Sequence, residues 1–205
     1  MNLLKVIIEF VMDILETVVF VGSLFIVVYL YILQPNQVKG ASMFPTFESG
    51  DYILTSKITF KFRTIERGDV IVFKSLANQD IDYIKRVIGI PGDKVMIKNN
   101  EVYVNDHLVQ EPYISEKTNV WEHGFSKDGV PVIVPQGELF VMGDNRPKSS
   151  DSREFGTVPI DNIIGTVFYR YFPVNKVGKV DNPWPKELRV YIKEIYYLVS
   201  HDFRG

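Results

Sequence analysis

The longest apolar run of the chain lies at its N-terminal end. Residues 17–38 carry no charge, and 18–33 (VVFVGSLFIVVYLYIL) are almost wholly apolar. With Thr17 and Gln34 the run has about 18 residues, or roughly 27 Å of helix, enough to cross a hydrocarbon core. A cleavable secretory leader would have a shorter apolar run, basic residues in front and small residues behind. Here Lys5 is outnumbered by Glu9, Asp13 and Glu16, and Tyr29-Leu30-Tyr31 makes a poor cleavage site. The pattern predicts a retained transmembrane anchor over 17–34. Ahead of it, Lys5, Glu9, Asp13 and Glu16 recur at helical spacing among Leu4, Ile7, Ile8, Val11, Met12, Ile14 and Leu15. That predicts an amphipathic segment over 1–16, lying in the interface or continuing obliquely into the bilayer as one long helix.

The period changes after Gln34-Pro35-Asn36-Gln37, where proline ends the helix. Short β-branched runs then alternate with turn signals. Val70-Ile71-Val72-Phe73 follows Arg67-Gly68-Asp69, and residues 83–90 run into Pro91-Gly92-Asp93. Val95-Met96-Ile97 and Val102-Tyr103-Val104 flank Asn99-Asn100, the pattern of a hairpin. Val132-Ile133-Val134 and Leu139-Phe140-Val141-Met142 flank Pro135-Gln136-Gly137, and 163–171 forms a further strand. No long helical period occurs between 38 and 180. The body is therefore mainly β. Residues 111–129 read as a surface excursion in which Trp121, His123 and Phe125 either form an exposed aromatic patch or pack within the loop, the packed loop being the favoured reading. Past Asp181-Asn182-Pro183-Trp184-Pro185, residues 188–199 have the pattern of a short amphipathic helix in a tail spanning 181–205.

Composition narrows the chemistry. The 205 residues include 23 Lys+Arg and 25 Asp+Glu, a net charge of −2, without the basic excess that a nucleic-acid partner calls for. No cysteine is present, which removes disulfides, thiolate metal sites and thiol nucleophiles. His107, His123 and His201 have no metal-ligand spacing, so a metal site or a Ser-His-Asp triad is poorly supported. A serine nucleophile then needs another base. A lysine serves where apolar surroundings hold it neutral. Lys85 lies inside a strand pattern that turns Lys85, Val87 and Gly89 to one face and Arg86 to the other.

Three further segments keep it company. Gly40-Ala41-Ser42-Met43-Phe44-Pro45-Thr46 follows the anchor, Arg67-Gly68-Asp69-Val70 precedes the lysine strand, and Gly143-Asp144-Asn145-Arg146-Pro147-Lys148-Ser149-Ser150-Asp151-Ser152-Arg153 comes late. With Tyr83-Ile84-Lys85-Arg86-Val87, these four segments resemble the boxes of the type I signal peptidases, Ser-Lys proteases of bacterial membranes. The likeness covers about residues 15 to 175, and its Ser-Met-x-Pro-Thr pattern falls on Ser42, Met43, Pro45 and Thr46.

The resemblance implies a mainly β, antiparallel-sheet catalytic body over 38–180 behind a transmembrane helix. It implies Ser42 as nucleophile, with its backbone N–H serving the oxyanion, and Lys85 as general base. Ser149 would hydrogen-bond and orient the lysine. Asp144, Arg146, Asp151 and Arg153 would brace the site structurally, and Met43 would wall it. No cofactor and no metal are implied. The partners implied are the lipid bilayer and preproteins with small residues at the first and third positions before the cut. The location implied is the bacterial plasma membrane, crossed once, with residues 1–16 cytoplasmic and the catalytic body outside. Gly40 departs from members that carry a serine there as a second oxyanion donor, and water is the substitute donor expected. A Ser-Lys protease maturing one secreted or pilus-type precursor fits the same boxes. A catalytically inactive, membrane-tethered binding relative would have lost Ser42 or Lys85, and both are present.

Overall fold

Helix α1 (Leu3–Tyr31) is continuous in the computed structural model, which describes residues 3–58 and 64–189. Its stretch Leu4–Val27 is long and apolar enough to cross a bilayer, and its most apolar window is not buried against the body. That exposure separates it from a core helix. The acidic residues of the first half sit on this same helix, so the structure shows one long helix and no break near residue 16. The helix stops at Tyr31, short of the expected boundary at 34. Leu33 to Gln37 instead form strand β1 (Leu33–Gln37), paired antiparallel with β2 (Tyr52–Ser56). Pro35 lies within β1. A proline is tolerated there because β1 is the edge strand of its sheet.

The remaining strands are β3 (Val70–Lys74), β4 (Asp82–Gly89), β5 (Lys94–Lys98), β6 (Glu101–Val104), β7 (His107–Leu108), β8 (Val132–Ile133), β9 (Glu138–Met142), β10 (Val158–Pro159), β11 (Ile163–Phe172) and β12 (Gly178–Lys179). A short helix α2 (Ser152–Phe155) precedes β10. The larger sheet runs β1-β2-β11-β3-β4-β9-β10, with β12 on β11; the smaller runs β7-β6-β5-β8. All pairings are antiparallel. The hairpin expected at Asn99-Asn100 is present, and a second forms at Asn105-Asp106. All four residues have positive φ, which suits the two-residue turns that match strand twist. Val132 and Leu139 do not pair with each other: β8 joins the smaller sheet and β9 the larger.

Three apolar clusters hold the body together, and β4 feeds two of them from opposite faces. Ile88 packs with Val95, Val102, Phe140 and Trp184 between the sheets, while Val87 packs with Ile71, Phe73 and Val141. The third, with Val38, Met43, Phe47, Ile53 and Val72, lies under the segment that carries Ser42. Burial of this kind stabilises by roughly 25 cal/mol per Å² of apolar surface. The chain end is part of this packing. Trp184 is buried, Asn182 donates to the Arg67 carbonyl at 2.8 Å, and a side chain at Gly68 would collide with both Asn182 and Trp184. Of the helix expected over 188–199, residues 190 onward lie outside the described residues.

Candidate active site

Ser42 sits in a run of turns between β1 and β2, fixed from below and from the side. Below it, Met43 is buried in the third apolar cluster, and the Phe47 N–H donates to the Met43 carbonyl at 2.8 Å. From the side, the Asn145 N–H donates to the Ser42 carbonyl at 3.0 Å, and Asn145 Nδ2 donates to the Ala41 carbonyl at 2.9 Å. Among the described residues the Ser42 N–H itself donates to no acceptor. Gly40 has φ +85°, a left-handed conformation that favours glycine, and space is open beside it.

Lys85 reaches this turn from β4. Its Nζ donates to Ser42 Oγ at 2.9 Å and to the Ile84 carbonyl at 3.0 Å. The residue is only 4 % exposed, and its Nζ lies 5.1 Å from the Tyr83 ring centroid. Burial pulls its pKa from the ordinary 10.5 down to about 8; Asp151 and Asp144 oppose that shift and Arg153 adds to it. Among the described residues no carboxylate contacts the amine. Ser149 is buried close by, but its Oγ has no hydrogen-bond partner among the described residues. The bond from Ser149 to Lys85 implied by the resemblance is therefore not formed here, although the amine, bonded to Ser42 and Ile84, has capacity for a third.

Arg86, the next residue, points to the opposite face and is treated differently. Its Nε and Nη2 donate to the two oxygens of Asp144 at 2.8 and 2.6 Å, and Nη1 donates to the Gly68 carbonyl at 2.8 Å. Thr46 Oγ1 donates to Asp144 as well, at 2.5 Å. Tyr113 covers the guanidinium, with 4.2 Å from ring centroid to Cζ. Two more buried arginines complete the support. Arg146 donates to Glu111 and Thr118, and at 3.0 Å to the Gly143 carbonyl. Arg153 forms a bidentate pair with Asp151 at 2.8 Å for both bonds and lies under the Trp121 ring. Asp151 also accepts from the Gly143 N–H at 3.0 Å, which fixes the backbone between Asp144 and the turn of Ser42.

The bracing expected of Asp144, Arg146, Asp151 and Arg153 thus has a geometric counterpart. Asn145, Glu111 and Tyr113 have no role assigned by sequence, and Thr46 is named there only as part of the serine box. Asn145 and Thr46 lie within the quoted boxes, whereas Glu111 and Tyr113 come from the excursion, which packs onto the site. Among the described residues no group of three or more His, Cys, Asp or Glu side chains could hold a metal ion. A cleft of about 820 Å³ opens from the Ser42–Lys85 contact, walled by Pro35 to Ala41 on one side and Asp80 to Ile84 on the other. Residues 83–85 pair only with β3, so one strand edge is left facing this cleft. A hydroxyl in contact with a buried, easily deprotonated amine can work as a nucleophile and its base.

The chain is similar to several known proteins. The family described as signal peptidase, peptidase S26, matches residues 8–172. A signal peptidase IB of Staphylococcus aureus (strain COL) is 36% identical over 185 residues, covering 83% of this chain and 96% of that one. A signal peptidase I of Bacillus caldolyticus is 42% identical over 151 residues, covering 70% and 82%. The crystal structure of a signal peptidase I from Enterococcus faecalis V583 aligns at a TM-score of 0.43 and 31% identity, covering 51% of this chain and 97% of that one. The chain belongs to the signal peptidase S26 family.

Proposed function

We propose that this protein is a membrane-anchored serine endopeptidase that removes signal peptides from translocated preproteins, with Ser42 as nucleophile and Lys85 as general base. The observation that carries the reading is the 2.9 Å contact between Lys85 Nζ and Ser42 Oγ in the lining of the large cleft. An extended substrate lies along the cleft with its scissile carbonyl over Ser42. Neutral Lys85 takes the hydroxyl proton as Ser42 Oγ bonds to the carbonyl carbon, and the resulting ammonium gives that proton to the leaving amine as the peptide bond breaks. Water then hydrolyses the acyl-enzyme by the same proton path. The free Ser42 N–H donates to the oxyanion. Asp144, Arg146, Asp151 and Arg153 hold the surrounding backbone and take no part in proton transfer.

The names of the relatives support signal peptides as the substrate class. Small residues at the first and third positions before the cut fit a cleft that selects by excluding bulk. Helix α1 crosses the bilayer once and leaves the body on its outer face, where the substrate's apolar segment is still held by lipid. The scheme requires neither cofactor nor nucleic acid. Purified full-length enzyme should cleave a preprotein at such a site, and Ser42→Ala should not, while folding equally well. Cleavage by Ser42→Ala within tenfold of wild type would end the assignment.

A further inference from the structure

A second cleft, of about 410 Å³, lies beside the first and is lined in part by Trp121, His123, Lys148, Ser149, Ser150 and Glu154. Lys148 and Ser150 line both clefts, so residues 147–150 form the ridge between them. The ridge is held against the serine by the two Asn145 bonds to Ser42 and Ala41. A peptide that fills the first cleft and passes Ser42 meets this ridge next, and beyond it the second cleft. The wall there is rigid. Trp121 stacks on Arg153 at 4.6 Å, and Arg153 is locked by Asp151. Lys148 is exposed, and among the described residues its amine has no carboxylate partner. Glu154, which lines only the second cleft, is likewise exposed and unpaired.

We infer that the second cleft receives the polypeptide on the leaving side of the scissile bond, and that Lys148 selects an acidic residue at the first two positions after the cut. The inference rests on the roles given above to Ser42 and Lys85. An endopeptidase must hold both sides of the bond it breaks, because a product strand left free raises the entropic cost of alignment. Trp121 supplies a flat apolar surface for that strand, and Lys148, which lines both clefts, supplies the charge. The selectivity is modest, since an exposed ion pair changes affinity by at most about fivefold.

The test uses full-length enzyme in neutral detergent micelles and preproteins identical up to the cut, with Asp, Ala or Lys at the next two positions. Wild type should rank Asp above Ala above Lys in kcat/KM, spanning about tenfold between attraction and repulsion. Lys148→Glu should reverse that order and Lys148→Ala should flatten it. An unchanged Asp-to-Lys ratio in Lys148→Glu overturns the inference. A binding measurement separates this result from failure of the catalytic reading. In the Ser42→Ala protein, a short acidic peptide matching only the leaving side should alter Trp121 fluorescence, and adding Lys148→Glu should remove the response. Equal binding of the acidic and basic peptides also overturns the inference, whether or not any preprotein is cut.

Discussion

The two faces of β4 bury neighbouring cations in opposite ways. Lys85 is taken out of water with a hydroxyl and a carbonyl as its hydrogen-bond partners, and its pKa falls to about 8. Arg86 is buried as deeply, against a bidentate carboxylate, a carbonyl and an aromatic face. Burial works against its charge too, but Asp144 outweighs it and the pKa is raised. Depth alone therefore does not decide the charge state. What decides it is whether a carboxylate is in contact. The Lys85 face yields an amine able to accept a proton near neutral pH, and the Arg86 face yields a permanent cation that ties β4 to the segment holding Ser42.

Replacing Lys85 breaks the contrast most severely. Lys85→Met removes the base, and kcat should fall by up to about ten thousandfold, the upper range for general-base catalysis. Lys85→Arg should be as inactive, since a guanidinium stays protonated. Single-turnover assays on a preprotein check both, and activity within tenfold of wild type would place the base elsewhere. On the other face, Asp144→Ala strands Arg86 as a lone buried cation and should destabilise the body by about 3–5 kcal/mol. Denaturant unfolding measures this. Adding Arg86→Met should restore much of the loss, which a purely steric defect at Asp144 would not allow.

The stability of Lys85→Met tests the same contrast without activity. A folded pKa near 8 against 10.5 in the unfolded chain means that the unfolded state holds the extra proton between these values. Wild-type stability should therefore rise with pH across that window, and the penalty is fully present below about 8. It corresponds to about 3 kcal/mol, so Lys85→Met should be the more stable protein at pH 7, with the gap closing towards pH 10.5. A gap that does not change with pH would mean that Lys85 is not desolvated. Wild-type activity should climb through an alkaline limb near pH 8.

The smallest effect comes from adding a polar group on the sparse side. Gly40→Ser meets open space but a φ of +85°, so stability should fall by about 1 kcal/mol. Turnover should rise by no more than about tenfold if the new hydroxyl becomes a second oxyanion donor. A larger loss of stability would show that the turn of Ser42 has less slack than its surroundings suggest.

Local chemistry made part of this legible in sequence. Asn99-Asn100 reads as a hairpin because two left-handed residues are what such a turn needs, and the alternation around Lys85 assigns it and Arg86 to opposite faces correctly. Strands β1 and β2 left no comparable trace. Pro35 masks the first, and its strand character depends on pairing with residues far along the chain. The excursion misleads for a related reason. Glu111 meets Arg146 across 35 positions, and Tyr113 covers Arg86 from a loop outside both sheets. No local period encodes such pairs. The hydrogen bond expected of Ser149 depended on which of several acceptors the Lys85 amine takes, which composition and spacing do not fix.

The packing of Trp184 and Asn182 against Gly68 has a consequence for the timing of synthesis. The first apolar cluster cannot fill until residue 184 has left the ribosome, and the turn that precedes β3 lacks its cover until then. Ser42 emerges early, Lys85 later, and the segment from Gly143 to Arg153 later still. Long-range closure of this kind makes folding wait for the whole body. A nascent chain thus presents Ser42 before most of the segments that surround it in the folded body. A chain that stops before residue 184 should therefore lack both that packing and any activity.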